Sequence, residues 1–136
     1  MNSGSSIKKV ITVGNDKDFV RYHLTILNSL LPEKLTNREI DVLIEFITLD
    51  SSIISVDGLF GSTAKKVVRK NLNNMSVAQL SNIINSLVSK KFLHSVEGSD
   101  DLQIRSWVDV KPNTTNKSEP YNIVYSFKLE VNGNNE

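Results

Sequence analysis

Apolar positions recur along this chain with two different periods. Between about residues 17 and 89 they return every three or four residues, and from Phe92 onward they return every second residue. The first spacing is that of one face of an α-helix and the second that of a half-buried strand. Ahead of the helical stretch, Ile7, Val10, Ile11 and Val13 make a β-branched run closed by Gly14-Asn15-Asp16, which predicts a strand ending in a turn. Asn15 or Asp16 can cap a helix from about Lys17 to Leu31, with Val20, Leu24, Leu27 and Leu31 on one stripe and Pro32 as its stop.

The next helix opens with Thr36-Asn37-Arg38-Glu39. This is a capping box, in which hydroxyl and carboxylate reciprocally satisfy backbone N–H groups that a helix start leaves unpaired. Ile40, Leu43, Ile44 and Ile47 follow at core-facing spacing beside charged Asp41 and Glu45. Ser51 to Phe60 mixes short apolar pairs with Ser, Asp and Gly, and predicts a long loop or a small strand at Ile53 to Val56. Ser62 can cap a third helix with Ala64, Val67, Val68 and Leu72 inward and Lys65, Lys66, Arg69 and Lys70 outward. Asn71, Asn73 and Asn74 should end it, because Asn competes for backbone hydrogen bonds and favours turns. Ser76-Val77-Ala78-Gln79 repeats the capping-box pattern and starts a fourth helix, which buries Leu80, Ile83, Ile84 and Leu87. Its outer face is Gln79, Ser81, Asn82, Asn85, Ser86 and Ser89.

Phe92 to Val96 then predicts a strand and Glu97-Gly98-Ser99-Asp100 a turn. Leu102, Ile104, Val108 and Val110 fit one face of the following strand, and Tyr121, Ile123, Tyr125, Phe127, Leu129 and Val131 one face of the last. Lys111 to Glu119, polar and proline-containing, is expected to be a protruding mobile loop between them. Trp107 falls opposite Leu102 and Ile104 in a regular strand, so it is either an exposed anchor for a partner or the sign of a bulge that turns it inward.

Charge adds what periodicity cannot. The net charge is only +1, yet residues 61–96 hold Lys65, Lys66, Arg69, Lys70, Lys90 and Lys91 with no acid, while residues 37–60 hold one base and five acids. A basic segment between acidic ones produces a local field suited to phosphate or to an acidic protein surface. With 136 residues, 39% of them hydrophobic, one core is the working expectation. Absence of cysteine removes disulfides, thiolate metal sites and a cysteine nucleophile, and suits a reducing cytoplasm. The polar start lacks the apolar stretch of a signal peptide, and no run approaches the roughly 20 residues of a membrane span.

In order, Thr36 to Val131 reads helix, possible strand, helix, turn, helix, strand, long strand pair. On Leu35-Thr36-Asn37-Arg38-Glu39-Ile40-Asp41-Val42-Leu43, and on Ser76 to Leu87 running into Ser89-Lys90-Lys91-Phe92-Leu93, the chain resembles a winged helix-turn-helix domain, loosely of the MarR type. Lys91 stands where that family commonly has glycine. The resemblance implies an α+β fold: a winged helix-turn-helix with an N-terminal strand-helix extension and an enlarged β-hairpin wing. Residues 1–6 would then be a tail, 7–34 the extension, 35–96 the helical core, 97–131 the wing hairpin and 132–136 a second tail. It also implies a recognition helix, Ser76 to Ser89, in a DNA major groove. Gln79, Asn82 and Asn85 suit base reading, because a primary amide offers donor and acceptor together to an adenine edge. Lys65, Lys66, Arg69, Lys70, Lys90 and Lys91 would supply the phosphate contacts, and a homo-oligomer on double-stranded DNA is the expected assembly.

The same helix lacks Arg or Lys before Lys90, and Asp100, Asp101 and Asp109 make the wing region acidic. Composition, rich in Asn, Ser and Lys, is similar to that of small winged-helix proteins of tailed bacteriophages, which serve as regulators or as head-tail connector parts. That likeness implies the alternative of a ring-forming virion component in contact with portal or tail proteins. Nothing points to an enzyme or a cofactor. His23 and His94 have no acid and nucleophile arranged around them, and Gly58 to Ser62 lacks the lysine of a phosphate loop.

Overall fold

A computed structural model describes the backbone of residues 6–96, 101–109 and 121–128, with side chains described for 14–96 and 101–109. Its elements are β1 (Ser6–Val13), α1 (Asp16–Leu30), α2 (Asn37–Ile47), α3 (Ser51–Asp57), α4 (Ser62–Asn71), α5 (Val77–Ser89), β2 (Leu93–Ser95), β3 (Leu102–Ile104) and β4 (Tyr121–Lys128). Ser6, expected in the first tail, begins β1; the rest of the expected tails, the turn at Glu97 to Asp100, the loop at Lys111 to Glu119 and the strand continuation to Val131 lie outside the described residues.

The architecture is α+β, built around α2. Ile40, Val42, Leu43, Ile44, Phe46 and Ile47 are all buried, so apolar side chains leave α2 on nearly every side, and α1, α4 and α5 each pack against it. Val20 and Leu24 of α1 are completely buried, so this helix belongs to the core and is not an appendage. The order α2, α4, α5, β2, β3 is compatible with a winged helix.

Local chemistry accounts for the helix starts. Asn15 caps α1 by accepting from the Asp18 N–H. The Thr36 box closes in both directions, with the Glu39 N–H on the Thr36 hydroxyl at 3.2 Å and the Thr36 N–H on Glu39 Oε1 at 2.7 Å. At α5 the serine half of the second box is present, the Gln79 N–H donating to Ser76 Oγ at 3.1 Å.

Three expectations are corrected. The segment from Ser51 to Phe60 is not a loop or a strand but contains α3, because Asp50 caps it by accepting from the N–H and hydroxyl of Ser52. Ser62 does not cap α4; Gly61 occupies that position, and the Asp57 carboxylate receives the Ser62 hydroxyl and the Thr63 N–H and hydroxyl instead. A Cβ on Gly61 would collide with Asp57 backbone and carboxylate, so the close approach requires glycine.

The third correction concerns the wing. Its hairpin is short, β2 pairing antiparallel with β3 (Leu93 with Ile104, Ser95 with Leu102). β3 stops at Ile104 because the next residues turn: the N–H groups of Val108 and Asp109 both donate to the Arg105 carbonyl. That turn buries Val108 fully and lays the Trp107 ring on Phe92, with centroids 5.3 Å apart, while leaving Trp107 41% exposed. β4 does not extend this hairpin. It pairs antiparallel with β1 along the whole of both strands, from Ser6 with Lys128 to Val13 with Tyr121, as a separate two-stranded ribbon. Among the described residues, β3 and β4 are therefore not the strands of one enlarged wing.

Candidate nucleic-acid interface

α4, the turn after it and α5 carry the residues expected to meet nucleic acid. The turn is fixed by two left-handed residues, Asn73 and Asn74, both at φ 58°, a conformation that asparagine adopts more readily than other side-chain-bearing residues. Arg69 closes it: the Met75 N–H donates to the Arg69 carbonyl at 3.0 Å, and Arg69 Nε donates to the Met75 carbonyl at 2.8 Å. Met75 itself is buried, which anchors the entry to α5 in the core.

α5 ends in a Schellman motif. The Phe92 N–H reaches the Leu87 carbonyl and the Lys91 N–H the Val88 carbonyl, with Lys91 left-handed at φ 72° between them. Glycine takes this conformation without a Cβ penalty. Lysine occupies it here at a conformational cost, and the motif forms nonetheless.

Between these fixed ends, Leu80, Ile84 and Leu87 face the core, and Gln79, Asn82 and Asn85 stand exposed, stepping three residues at a time along the outer side. Ala78, Ser81 and Ser89 share the exposed side, and Val77 is 62% exposed at its start. The outer face of α5 is therefore polar and uncharged.

The basic residues divide into two groups. Lys66 and Lys70 are exposed one turn apart on α4, Lys65 is half-buried beside them, and Lys91 is exposed after α5; no salt bridge among the described residues engages these four. Arg69 and Lys90 do not fit the expectation of open phosphate contacts. The Arg69 guanidinium binds the turn as described. Lys90 Nζ lies 2.7 Å from Glu39 Oε1 and 2.7 Å from the Lys34 carbonyl, and its side chain is only 19% exposed.

Glu39 is consequently a junction between α2 and α5. It takes the Thr36 N–H and Lys90 on one oxygen and the Ser86 hydroxyl on the other. Burial pushes its carboxyl pKa up, but the hydrogen bonds from Lys90, Ser86 and Thr36 and the charge of Lys90 outweigh this and hold it below the ordinary glutamate value. Ser86, expected on the outer face, is half-buried for this reason. Glu45, a charged neighbour of the α2 stripe, is buried too, held by Lys17 of α1 at 2.8 Å and by the Asn71 amide at the end of α4 at 2.9 Å. No periodicity marks such carboxylates as buried, since the cations that permit burial come from other elements.

The end of α1 and the segment after it are tied down by hydrogen bonds as well. Lys34 Nζ donates to the carbonyls of Asn28, Ser29 and Leu31, satisfying acceptors that the end of α1 leaves open. His23 donates from Nε2 to the Trp107 carbonyl at 3.0 Å; burial lowers its pKa below the ordinary histidine value, although the carbonyl contact works the other way.

A cleft of about 760 Å³ opens between the α3–α4 connection and β3, with Asp57, Lys65, Asp101 and Asp109 on its rim and Phe60 and Leu102 in its wall. Asp57 is occupied in holding α4. Slight desolvation raises its pKa, and the hydrogen bonds from Thr63 and Ser62 more than offset this, so it lies below the ordinary aspartate value. Among the described residues, no group of three His, Cys, Asp or Glu side chains is spaced to hold a metal ion, and no helix is long and apolar enough to cross a membrane. Comparison with protein-family models, curated proteins and solved structures finds no match for this chain.

Proposed function

We propose that this protein binds double-stranded DNA, with α5 in the major groove, in a non-enzymatic and regulatory role. The observation that carries this reading is the exposed row Gln79, Asn82 and Asn85 on a helix anchored at both ends, by Arg69 and Met75 before it and by Glu39 and Lys90 after it. A reading helix must be held rigidly while its outer side chains stay free. Amides of this kind match adenine better than guanine, so the preferred site is rich in A·T pairs. Lys66, Lys70 and Lys91, with Lys65 at the margin, supply the phosphate contacts. Lys91 adds support of its own: a lysine stands where glycine would relieve the backbone, as expected if its charge is needed there.

Duplex binding measured across salt concentrations tests this. Replacing Lys66, Lys70 and Lys91 with Gln should reduce the slope of log affinity against log salt by up to about three, roughly one for each lysine that meets a phosphate. Asn82→Ala or Asn85→Ala should cost about 1–3 kcal/mol of discrimination at one base position and leave nonspecific affinity nearly unchanged. An unaltered salt slope, or equal loss on every sequence, removes DNA from the account.

The uncharged face of α5 also favours a second reading. A bacteriophage connector subunit would use it against portal or tail proteins in a ring, since burying a charge-free polar helix in a protein interface avoids the desolvation cost of charged groups. A chain that fails to shift any duplex and is recovered in purified virions supports this reading over the first.

A further inference from the structure

The β1–β4 ribbon has a pronounced difference between its faces. Strand residues alternate between faces, so the register sets Ile7, Ile11 and Val13 with Ile123 and the aromatic Tyr121, Tyr125 and Phe127 on one face, where Lys9 is the single charged residue. The other face combines Lys8, Thr12, Asn122, Ser126 and Lys128 with one apolar pair, Val10 and Val124.

We propose that this ribbon is a homodimer interface, its apolar face packing on the same face of a second copy of the chain. A two-stranded sheet is marginal in water by itself and needs a further layer. Within the chain the principal packing partner of each ribbon strand is the other strand, while the helices pack on one another and on β2. Among the described residues the core already contains eighteen buried apolar side chains, from Val20 to Val108.

Several properties select a second copy as the occupant. Three aromatic side chains can bury about 150–250 Å² each. With the four aliphatic residues, the face can contribute on the order of 800 Å² per copy, the amount each partner gives to a standard specific interface. One lysine on such a face offers no match to a highly charged ligand, whereas an apolar face placed on its own two-fold mate is complementary to itself. Pairing through the β1 edge is disfavoured by the adjacent Lys8 and Lys9, since lysines on an edge strand deter strand addition. A two-fold dimer would present two α5 helices, but the interface stands whether or not DNA is bound.

The mass of the full-length chain, without DNA, is measured by light scattering and sedimentation over a range of concentrations. The wild type should be a dimer. Ile123→Lys and Tyr125→Lys, on the apolar face, should weaken dimerisation on the order of 100-fold or more, as expected for an unpaired charge in an apolar interface. Asn122→Lys and Ser126→Lys, on the other face of the same strand, should leave it intact. Circular dichroism and amide exchange in α2 and α5 should be native in all four. A wild-type monomer, a species larger than a dimer, or a dimer that survives the apolar-face charges overturns the proposal. So does loss of helical structure in the Ile123→Lys and Tyr125→Lys variants, because it would mean that the chain's own helices cover that face.

Discussion

Lys91 holds the left-handed conformation at φ 72° that closes the α5 Schellman motif, and no β-carbon-bearing residue other than Asn or Asp adopts it cheaply. Lys91→Gly should therefore stabilise the fold by about 1 kcal/mol, seen as a higher urea midpoint at unchanged slope. If Lys91 meets phosphate, the same variant should show a shallower salt dependence of DNA binding, stability and binding moving in opposite directions. A lower or unchanged midpoint would mean that the lysine is not strained. Asn73 and Asn74 differ from Lys91 in this respect, since their residue type already suits positive φ.

At the scale of elements, buried ion pairs decide how the helices sit on one another. The Glu39 side chain is 4% exposed and Lys90 19%, so removing the lysine alone leaves a carboxylate without its countercharge in the core. Lys90→Met should cost about 3 kcal/mol, while Glu39→Gln with Lys90→Met should recover most of that loss, because an uncharged pair demands no compensation. A double-mutant cycle by denaturant unfolding measures the coupling; additive losses would show that the pair contributes nothing as a pair. The Arg69 side chain joins α4 to the turn through the neutral Met75 carbonyl, so its removal loses a hydrogen bond without burying an opposite charge and should be milder.

For the whole molecule, acid stability should fall in two steps. His23 is held neutral, so its folded pKa lies below 6.5 and the unfolded chain takes up the proton first. Its contribution is complete above pH 6.5 and is lost as pH drops from there through the lower folded value. Glu39 is held ionised with its folded pKa below 4.5, so its contribution is present above 4.5 and disappears as pH falls through that lower value. Melting temperature followed from neutral to acid pH should show both steps, and His23→Gln should flatten the first alone. A single step confined to pH below 4.5 would show that burial does not lower the His23 pKa in the folded chain.

Elements whose determinants are neighbours along the chain are legible in the amino-acid sequence alone. The Thr36 capping box, the stripes of α1, α2 and α5, the asparagine turn and the two terminal strands each depend on residues within a few positions of one another, where propensity and hydrogen bonding act directly. α3 escapes that reading although its cap is local, because Ile53, Ile54 and Val56 carry β-branched side chains that fit a strand equally well and the Asp50 cap decides for the helix. Of the expected interface, the exposed amide row follows from helical period alone. The division of its cations does not, since Lys90 and Lys66 are chemically alike and only the arrival of Glu39 from α2 draws one into a part-buried ion pair. Strand pairing is likewise a tertiary decision. Alternation in Tyr121 to Lys128 identifies a strand with one apolar face but says nothing of its neighbour. The partner is the first strand of the chain, because a period of two encodes which side of a strand is apolar, whereas the long-range closure of the chain determines what lies at its edge.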